Sequence, residues 1–119
     1  MRTRTFAATA VLLAAATWPA STHAQAVEEF YKSKSVTMLV GSGAGGGYDT
    51  YARIFARHMA RHIPGNPAII AKNMPAAAGL AAANTLYTTA DKDGSTIAAF
   101  TNGSAMEPLF GNASARFEA

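Results

Sequence analysis

The chain has 119 residues, no cysteine and a formal charge of +3 at pH 7, and 50% of its residues are hydrophobic. Without cysteine it can form neither disulfides nor thiolate metal sites. Two of its basic residues lie within the first four positions. The rest show no clustered basic face of the kind that nucleic-acid binders carry, so we expect no nucleic-acid partner.

The first 26 residues have the layout of a secretory signal peptide. Two arginines give a positive start, residues 6–16 form an uncharged apolar run, and residues 24–26, Ala-Gln-Ala, form a small-residue cleavage pattern. The apolar run is shorter than the roughly 20 residues that a membrane-spanning helix needs. We therefore expect export to the periplasm and leave residues 1–26 out of the predicted fold. An uncleaved anchor is the alternative.

The first predicted elements follow a polar lead-in over residues 28–34. Residues 36–40 predict a strand that is apolar on both faces, as in a covered parallel sheet. A helix is predicted from about Tyr51 to Ile63, with Asp49 or Thr50 as its N-cap. Its large apolar residues share one broad face opposite an arginine stripe, with helical spacing: Tyr51, Ile54, Phe55, Met59 and Ile63 against Arg53, Arg57 and Arg61.

The second half of the chain repeats this alternation. Residues 68–71 predict a strand, residues 77–88 a helix of small residues, residues 91–94 a turn, and residues 95–100 a third strand. A short helical turn is expected near residue 105. The β-α-β-α-β order predicts an α/β fold with a three-stranded parallel sheet.

Such a sheet is too wide for the helices that this chain offers. Three strands span roughly 14 Å at ~4.8 Å per strand, whereas one helix covers about 10 Å. Right-handed crossovers place one helix on each face when the strand order doubles back. We therefore expect additional chain or a partner to cover the remaining apolar surface.

A glycine-rich loop, "VGSGAGGGYD", follows the first strand and contains G-x-G-x-x-G at Gly41, Gly43 and Gly46. A dinucleotide site also needs an acidic residue at the end of the second strand, where this chain has Ala-Lys-Asn at residues 71–73. A carboxylate has no such requirement. We expect the amides of Gly45 to Gly47, at a helix N-terminus, to bind an anion of this kind. A tight turn without a ligand is the alternative.

Three features in chain order resemble one family of receptors. They are Ala44-Gly45-Gly46-Gly47-Tyr48-Asp49, Asn73-Met74-Pro75 and Asp93-Gly94-Ser95-Thr96. Residues 36–101 thereby resemble the amino-terminal part of the extracytoplasmic solute receptors of tripartite tricarboxylate transporters, the Bug family. Two departures stand out: Ser42-Gly43 replaces the usual proline-phenylalanine, and Ala76-Ala77-Ala78-Gly79 replaces the usual G-A-G-G.

The resemblance implies a periplasmic binding protein of two lobes that closes on a small carboxylate like a Venus flytrap. Residues 27–119 would form part of the first lobe, and the second lobe and the membrane components of the transporter would be its partners. The family is around three times as long, so we expect a truncated receptor, and a gene fragment without function is a further possibility. The implied ligand-binding residues lie in three loops: Ala44, Gly45, Gly46, Gly47, Tyr48, Asp49, Pro75, Ala76, Gly79, Thr101, Asn102, Gly103 and Ser104.

Few other residues offer chemistry. His58 and His62 have a spacing that can hold a metal, but no acid or cysteine stands near them on the helix, so we expect no metal site. Ser42 and Ser104 lie outside a G-x-S-x-G turn and no histidine-acid order suggests a triad. We expect no enzyme activity and no cofactor. The alternative is an exported α/β enzyme that uses the glycine loop for a nucleotide or phosphate.

Overall fold

The computed structural model describes residues 21–118, so the predicted signal peptide lies outside the described part except for its last residues. The helices are α1 (Ser21–Lys32), α2 (Gly47–Met59) and α3 (Leu80–Thr88), and the strands are β1 (Val36–Val40), β2 (Ile69–Asn73) and β3 (Thr96–Ala99). Single 3-10 turns span Ala60–His62, Ala76–Gly79 and Asn102–Met106. None of the helices in this range is long and apolar enough to cross a membrane.

The three strands form one parallel sheet in the order β2-β1-β3. Val36 pairs with Ile69, and Met38 pairs with Ala71 on one side and with Ile97 on the other. The central strand is the most buried, as its uninterrupted apolar sequence requires. The predicted α/β fold with a three-stranded parallel sheet is confirmed.

The core lies between the sheet and α2. Met38 and Val40 of β1 are almost fully buried and pack against Ala52 and Ala56 of α2. Leu39 points to the opposite face because side chains alternate along a strand. There α3 packs against β1 and β3. One helix therefore covers each face, as the right-handed crossover rule requires.

The large apolar residues of α2 do not form its buried face. The helix buries Asp49, Ala52 and Ala56, whereas Tyr51 is 76% exposed and Phe55 is 57% exposed. Alanines bring the helix axis close to the strands, and this close approach leaves no room between helix and sheet for the large side chains. The large residues are displaced to the flank of the helix instead.

Several predicted boundaries are also corrected. The helix α2 begins at Gly47 with Gly46 as N-cap, four residues before its predicted start. The strand β2 runs to Asn73, and α3 begins only at Leu80 because a left-handed turn precedes it. Residues 28–34, predicted as a polar lead-in, belong largely to α1.

The helix α1 packs at the edge of the sheet where the strands begin. The hydroxyl of Tyr31 donates to the carbonyl of Gly94 at 3.3 Å, and Lys34 forms an ion pair with Asp93 at 2.9 Å. A Cβ added to Gly65 would lie 2.6 Å from the carbonyl oxygen of Glu28. These contacts hold α1 at the edge opposite the predicted binding loops.

Candidate functional site

The loops after β1, β2 and β3 all lie at the edge where the parallel strands end. The first two loops touch through a pair of glycines: a Cβ added to Gly79 would lie 2.6 Å from the carbonyl oxygen of Gly41. A Cβ added to Gly41 would lie 2.9 Å from Cβ of Phe100, at the start of the third loop. The structure therefore brings the three predicted loop regions together at one edge.

The glycine loop is held in place by the carboxylate of Asp49. Its side chain is 5% exposed and accepts hydrogen bonds from three parts of the chain. Gly45 N donates from the loop at 2.8 Å, Arg53 Nε from the next turn of α2 at 3.0 Å, and Asn73 Nδ2 from the end of β2 at 2.8 Å. Asp49 is the third residue of α2, so its predicted role as N-cap is wrong. It reaches back to the loop amide, as the acid of a capping box does.

Asn73 extends this network to the beginning of the loop. Its Nδ2 also donates to the carbonyl of Ser42 at 3.0 Å, and its Oδ1 accepts from Arg53 Nη2 at 2.9 Å. The loop is thus tied to β2 at one end and to α2 at the other. The sequence alone places Arg53 in the arginine stripe of the helix and Asn73 only in the motif that resembles the receptor family. The signals available for them were the four-residue spacing from Asp49 and the position of Asn73 at the end of β2.

These donors also determine the charge of Asp49. The hydrogen bond from Arg53, followed by those from Gly45 and Asn73, lowers the pKa of Asp49 from 3.8 to about 2. The carboxylate is therefore ionised at neutral pH, and the Arg53 guanidinium compensates its charge. Through these bonds Asp49 positions the glycine loop.

The expectation that Gly45, Gly46 and Gly47 together offer free amides is corrected. Gly45 N donates to Asp49, and Gly46 N lies 3.3 Å from the carbonyl of Gly43. The first helical bond runs from Thr50 N to the carbonyl of Gly46 at 2.9 Å. The amides of Gly47, Tyr48 and Asp49 precede it in the first turn, and no partner for them is found within residues 21–118. Gly47 and Tyr48 are exposed, whereas Asp49 is buried. The amides available to an anion are shifted toward the helix.

The second predicted loop contains strained backbone. Ala77 and Ala78 adopt left-handed φ angles of 52° and 53°, and Gly79 follows with φ 93°. Pro75 through Ala78 are exposed, whereas Gly79 is buried. The close backbone approach in this loop falls on Gly79, where this chain keeps a glycine, and not on Ala76.

The third predicted loop is partly closed on itself. Ser104 is buried, and its hydroxyl lies 2.9 Å from the hydroxyl of Thr101, so the two groups satisfy each other. Asn102 and Gly103 are exposed. Of the four predicted contact residues, these two are the exposed ones, and Thr101 is half-buried.

The remaining candidates do not form reactive groups. Nδ1 of His58 lies 2.9 Å from Nη2 of Arg61, and Nε2 of His62 lies 3.4 Å from Nε of the same arginine. Residues 21–118 contain no cluster of three or more potential metal ligands. The Ser42 hydroxyl is buried without a hydrogen-bond partner among these residues, and no histidine is bonded to it.

Comparison of the chain with protein-family models, with curated proteins and with solved structures gives no match.

Proposed function

We propose that the chain is part of an extracytoplasmic receptor that binds a small organic acid, a di- or tricarboxylate or a related compound, for a tripartite tricarboxylate transporter. The observation that carries this proposal is the pair of exposed residues with unpartnered amides, Gly47 and Tyr48, at the N-terminus of a 13-residue helix. A helix N-terminus favours an anion because its free amides and its dipole both present positive charge.

The network around Asp49 supports this proposal. A flexible glycine loop would lose conformational entropy on binding a ligand, and three hydrogen bonds to Asp49 fix it beforehand. The charge of Asp49 would oppose an anion at the same helix end. Arg53, 3.0 Å from the carboxylate, offsets that repulsion.

The expected affinity of this chain alone is low. Charge-assisted hydrogen bonds contribute about 1.5–3 kcal/mol each, so two amides provide about 3–6 kcal/mol before the cost of association. Millimolar binding corresponds to about 4 kcal/mol. In a two-lobed receptor, the second lobe would supply further donors.

Substitution of Gly47 tests the proposal directly. Gly47→Pro removes the Gly47 amide while keeping the helix, because proline is favoured at the first helical position. Gly47→Ala keeps the amide, and its Cβ enters open space. Succinate or citrate is titrated into the isotope-labelled protein and followed by NMR. At millimolar ligand, we expect the amide chemical shifts of residue 47 and of Tyr48 to change in both the original chain and the alanine variant. In the proline variant, we expect the Tyr48 shift to require at least several-fold more ligand.

The same titration distinguishes the receptor proposal from the alternative, an exported enzyme that binds a nucleotide or phosphate. Inorganic phosphate and adenosine monophosphate are the comparison ligands. If either of them saturates these amides at a concentration at which the organic acids do not, the receptor proposal fails and the alternative is favoured. Equal shifts in the proline and alanine variants would show that the Gly47 amide is not the binding group.

A further inference from the structure

An apolar groove runs along the flank of α2. The helix packs on β1 and β2, so the surface of β3 that faces it is left partly open. The groove, which we call the flank groove, has a volume of about 490 Å³. Its lining includes Tyr51, Ile54, Phe55 and His58 of α2 and Ala99 of β3.

The edge of β3 beside the flank groove carries main-chain groups that point outward. The carbonyls of Ser95 and Ala99 accept from Thr37 N and Gly41 N, each at 2.8 Å. Ser95 and Ala99 therefore direct their main-chain groups toward β1. Alternate residues of a strand direct these groups to opposite sides. Thr96 and Ala98 therefore present N–H and C=O groups outward, where no strand pairs with them within residues 21–118.

The two edge strands of the sheet differ in how well they are protected against pairing with a strand of another molecule. The edge strand β2 carries an exposed lysine, Lys72, and is followed by Pro75, and both are features that discourage pairing between sheets. The edge strand β3, Thr-Ile-Ala-Ala, has no charge and no proline. A second β3 can pair with it without placing like charges opposite each other.

We propose that two copies of this chain associate through β3 and the flank groove. Antiparallel pairing about a two-fold axis at Ala98 places Ala98 opposite its counterpart, and the two residues exchange N–H···O=C bonds. The result is a continuous six-stranded sheet. Both α2 helices then lie on the same face of that sheet, on either side of the axis.

The dimensions of this arrangement fit the exposed side chains. The helix α2 lies over β1 and β2, so the two helix axes are separated by four strand spacings, about 19 Å. Helices of about 10–12 Å diameter leave a channel of about 8 Å between them. Tyr51 and Phe55 of both copies project into this channel, above the Ile97 and Ala99 pairs of the joined strands.

The exposed aromatic side chains supply more than half of the area that a stable dimer buries. Tyr48, Tyr51 and Phe55 are 45%, 76% and 57% exposed. With about 200 Å² for a fully exposed aromatic side chain, two copies bring together about 700 Å² of aromatic surface. Specific interfaces bury about 1,200 Å² or more in total, and Ile54 and the strand edges contribute the remainder.

The proposal is tested by sedimentation equilibrium of the purified full chain from micromolar to millimolar concentration. We expect a monomer–dimer equilibrium whose dissociation constant rises at least tenfold in Phe55→Lys, because two lysines then face each other across the channel. Phe110→Lys is the matched control, since Phe110 is 75% exposed in the segment after β3. We expect it to dimerise like the original chain. The apolar run of residues 6–16 is present in all three proteins and cannot cause a difference between them.

Hydrogen exchange provides a second measurement that needs no variant. The Ala98 amide is expected to exchange more slowly as the dimer forms, while the outward amide of Ala71 on β2 is expected to be unaffected by concentration. A chain that stays monomeric at millimolar concentration overturns the proposal. A dimer also overturns it if Phe55→Lys leaves the dissociation constant unchanged, or if the exchange of the Ala98 amide does not slow. A monomer whose β3 edge binds only a foreign extended peptide is a third contrary result.

Discussion

The carboxylate of Asp49 receives donors from the loop, from α2 and from β2, and it is the contact point through which these three segments are aligned. Its burial would be unfavourable for a charged group without partners. Here all the hydrogen bonds favour the ionised form. The geometry of the candidate site therefore depends on the protonation state of Asp49.

This dependence predicts how stability changes with pH. The folded pKa of Asp49, about 2, lies below its ordinary value of 3.8. Its contribution is then fully present above about pH 4 and is lost as the pH falls toward 2. We expect the melting temperature of Asp49→Asn to lie below that of the original chain at pH 7, and the gap to close between pH 4 and pH 2.

Thermal unfolding followed by circular dichroism across this pH range measures the gap. Asp91→Asn, which removes an exposed carboxylate from the turn before β3, is the matched charge control. The pKa of Asp93 is also lowered, first by its hydrogen bond from the Ser95 hydroxyl. Because Asp93 is retained in both variants, its titration cancels from the comparison. A gap that stays constant down to pH 2 would contradict the role of the ionised Asp49.

At the scale of elements, the connection between β2 and α3 is the strained part of the molecule. Ala77 and Ala78 occupy the left-handed region, where a side chain costs about 1–2 kcal/mol per residue. Gly79 continues the turn and allows the close approach to Gly41. The end of β2 fixes the start of this turn, and the contact of Gly79 with Gly41, the residue after β1, fixes its end.

Glycine at these positions is expected to relieve the strain. Glycine loses more chain entropy on folding, by about 0.5–1 kcal/mol, so we expect Ala77→Gly and Ala78→Gly each to stabilise the fold by about 0.5–1 kcal/mol. Ala76→Gly is the control, because Ala76 has no left-handed φ and the substitution should destabilise. Urea unfolding measures all three variants. Destabilisation in all three would show that the turn is not strained in solution.

At the scale of the whole molecule, the segment after β3 folds back over α3. Asn84 Nδ2 donates to the carbonyl of Ser114 at 2.9 Å, and its Oδ1 accepts from Arg116 N at 2.8 Å. The ring of Phe117 lies 6.4 Å from that of Tyr87 between centroids. One amide side chain thus attaches the end of the described chain to the outer face of α3.

Asn84→Ala is expected to release this attachment locally. Both hydrogen bonds are exposed and contribute little to global stability, about 1 kcal/mol or less each. We expect the exchange of the Arg116 amide to accelerate several-fold with a fall in melting temperature of only a few degrees. Asn84→Asp keeps the acceptor for Arg116 and should retain most of its protection. Unchanged exchange in Asn84→Ala would show that the packing of Phe117 suffices.

Apart from α1, the order of elements and the place of the candidate loops followed from the sequence, because they depend on local patterns. Uninterrupted apolar residues specified β1, and the glycines after it specified a loop that feeds a helix. The edge at which the loops lie follows from parallel pairing alone. The family identity and the ligand are proposals that rest on the resemblance and on this geometry.

Only the tertiary structure decided which surfaces and which amides are free. The helical period shows that α2 has an aromatic stripe and an alanine stripe, but the distance from helix to sheet determines which one is buried. Likewise, Asp49 and Asn73 are 24 residues apart, and their contact exists only because β2 lies beside β1. The same carboxylate accepts from Gly45 N, and no partner for the amides of Gly47 and Tyr48 is found within residues 21–118. Contacts between distant residues depend on the packing of the whole chain, which no local pattern records.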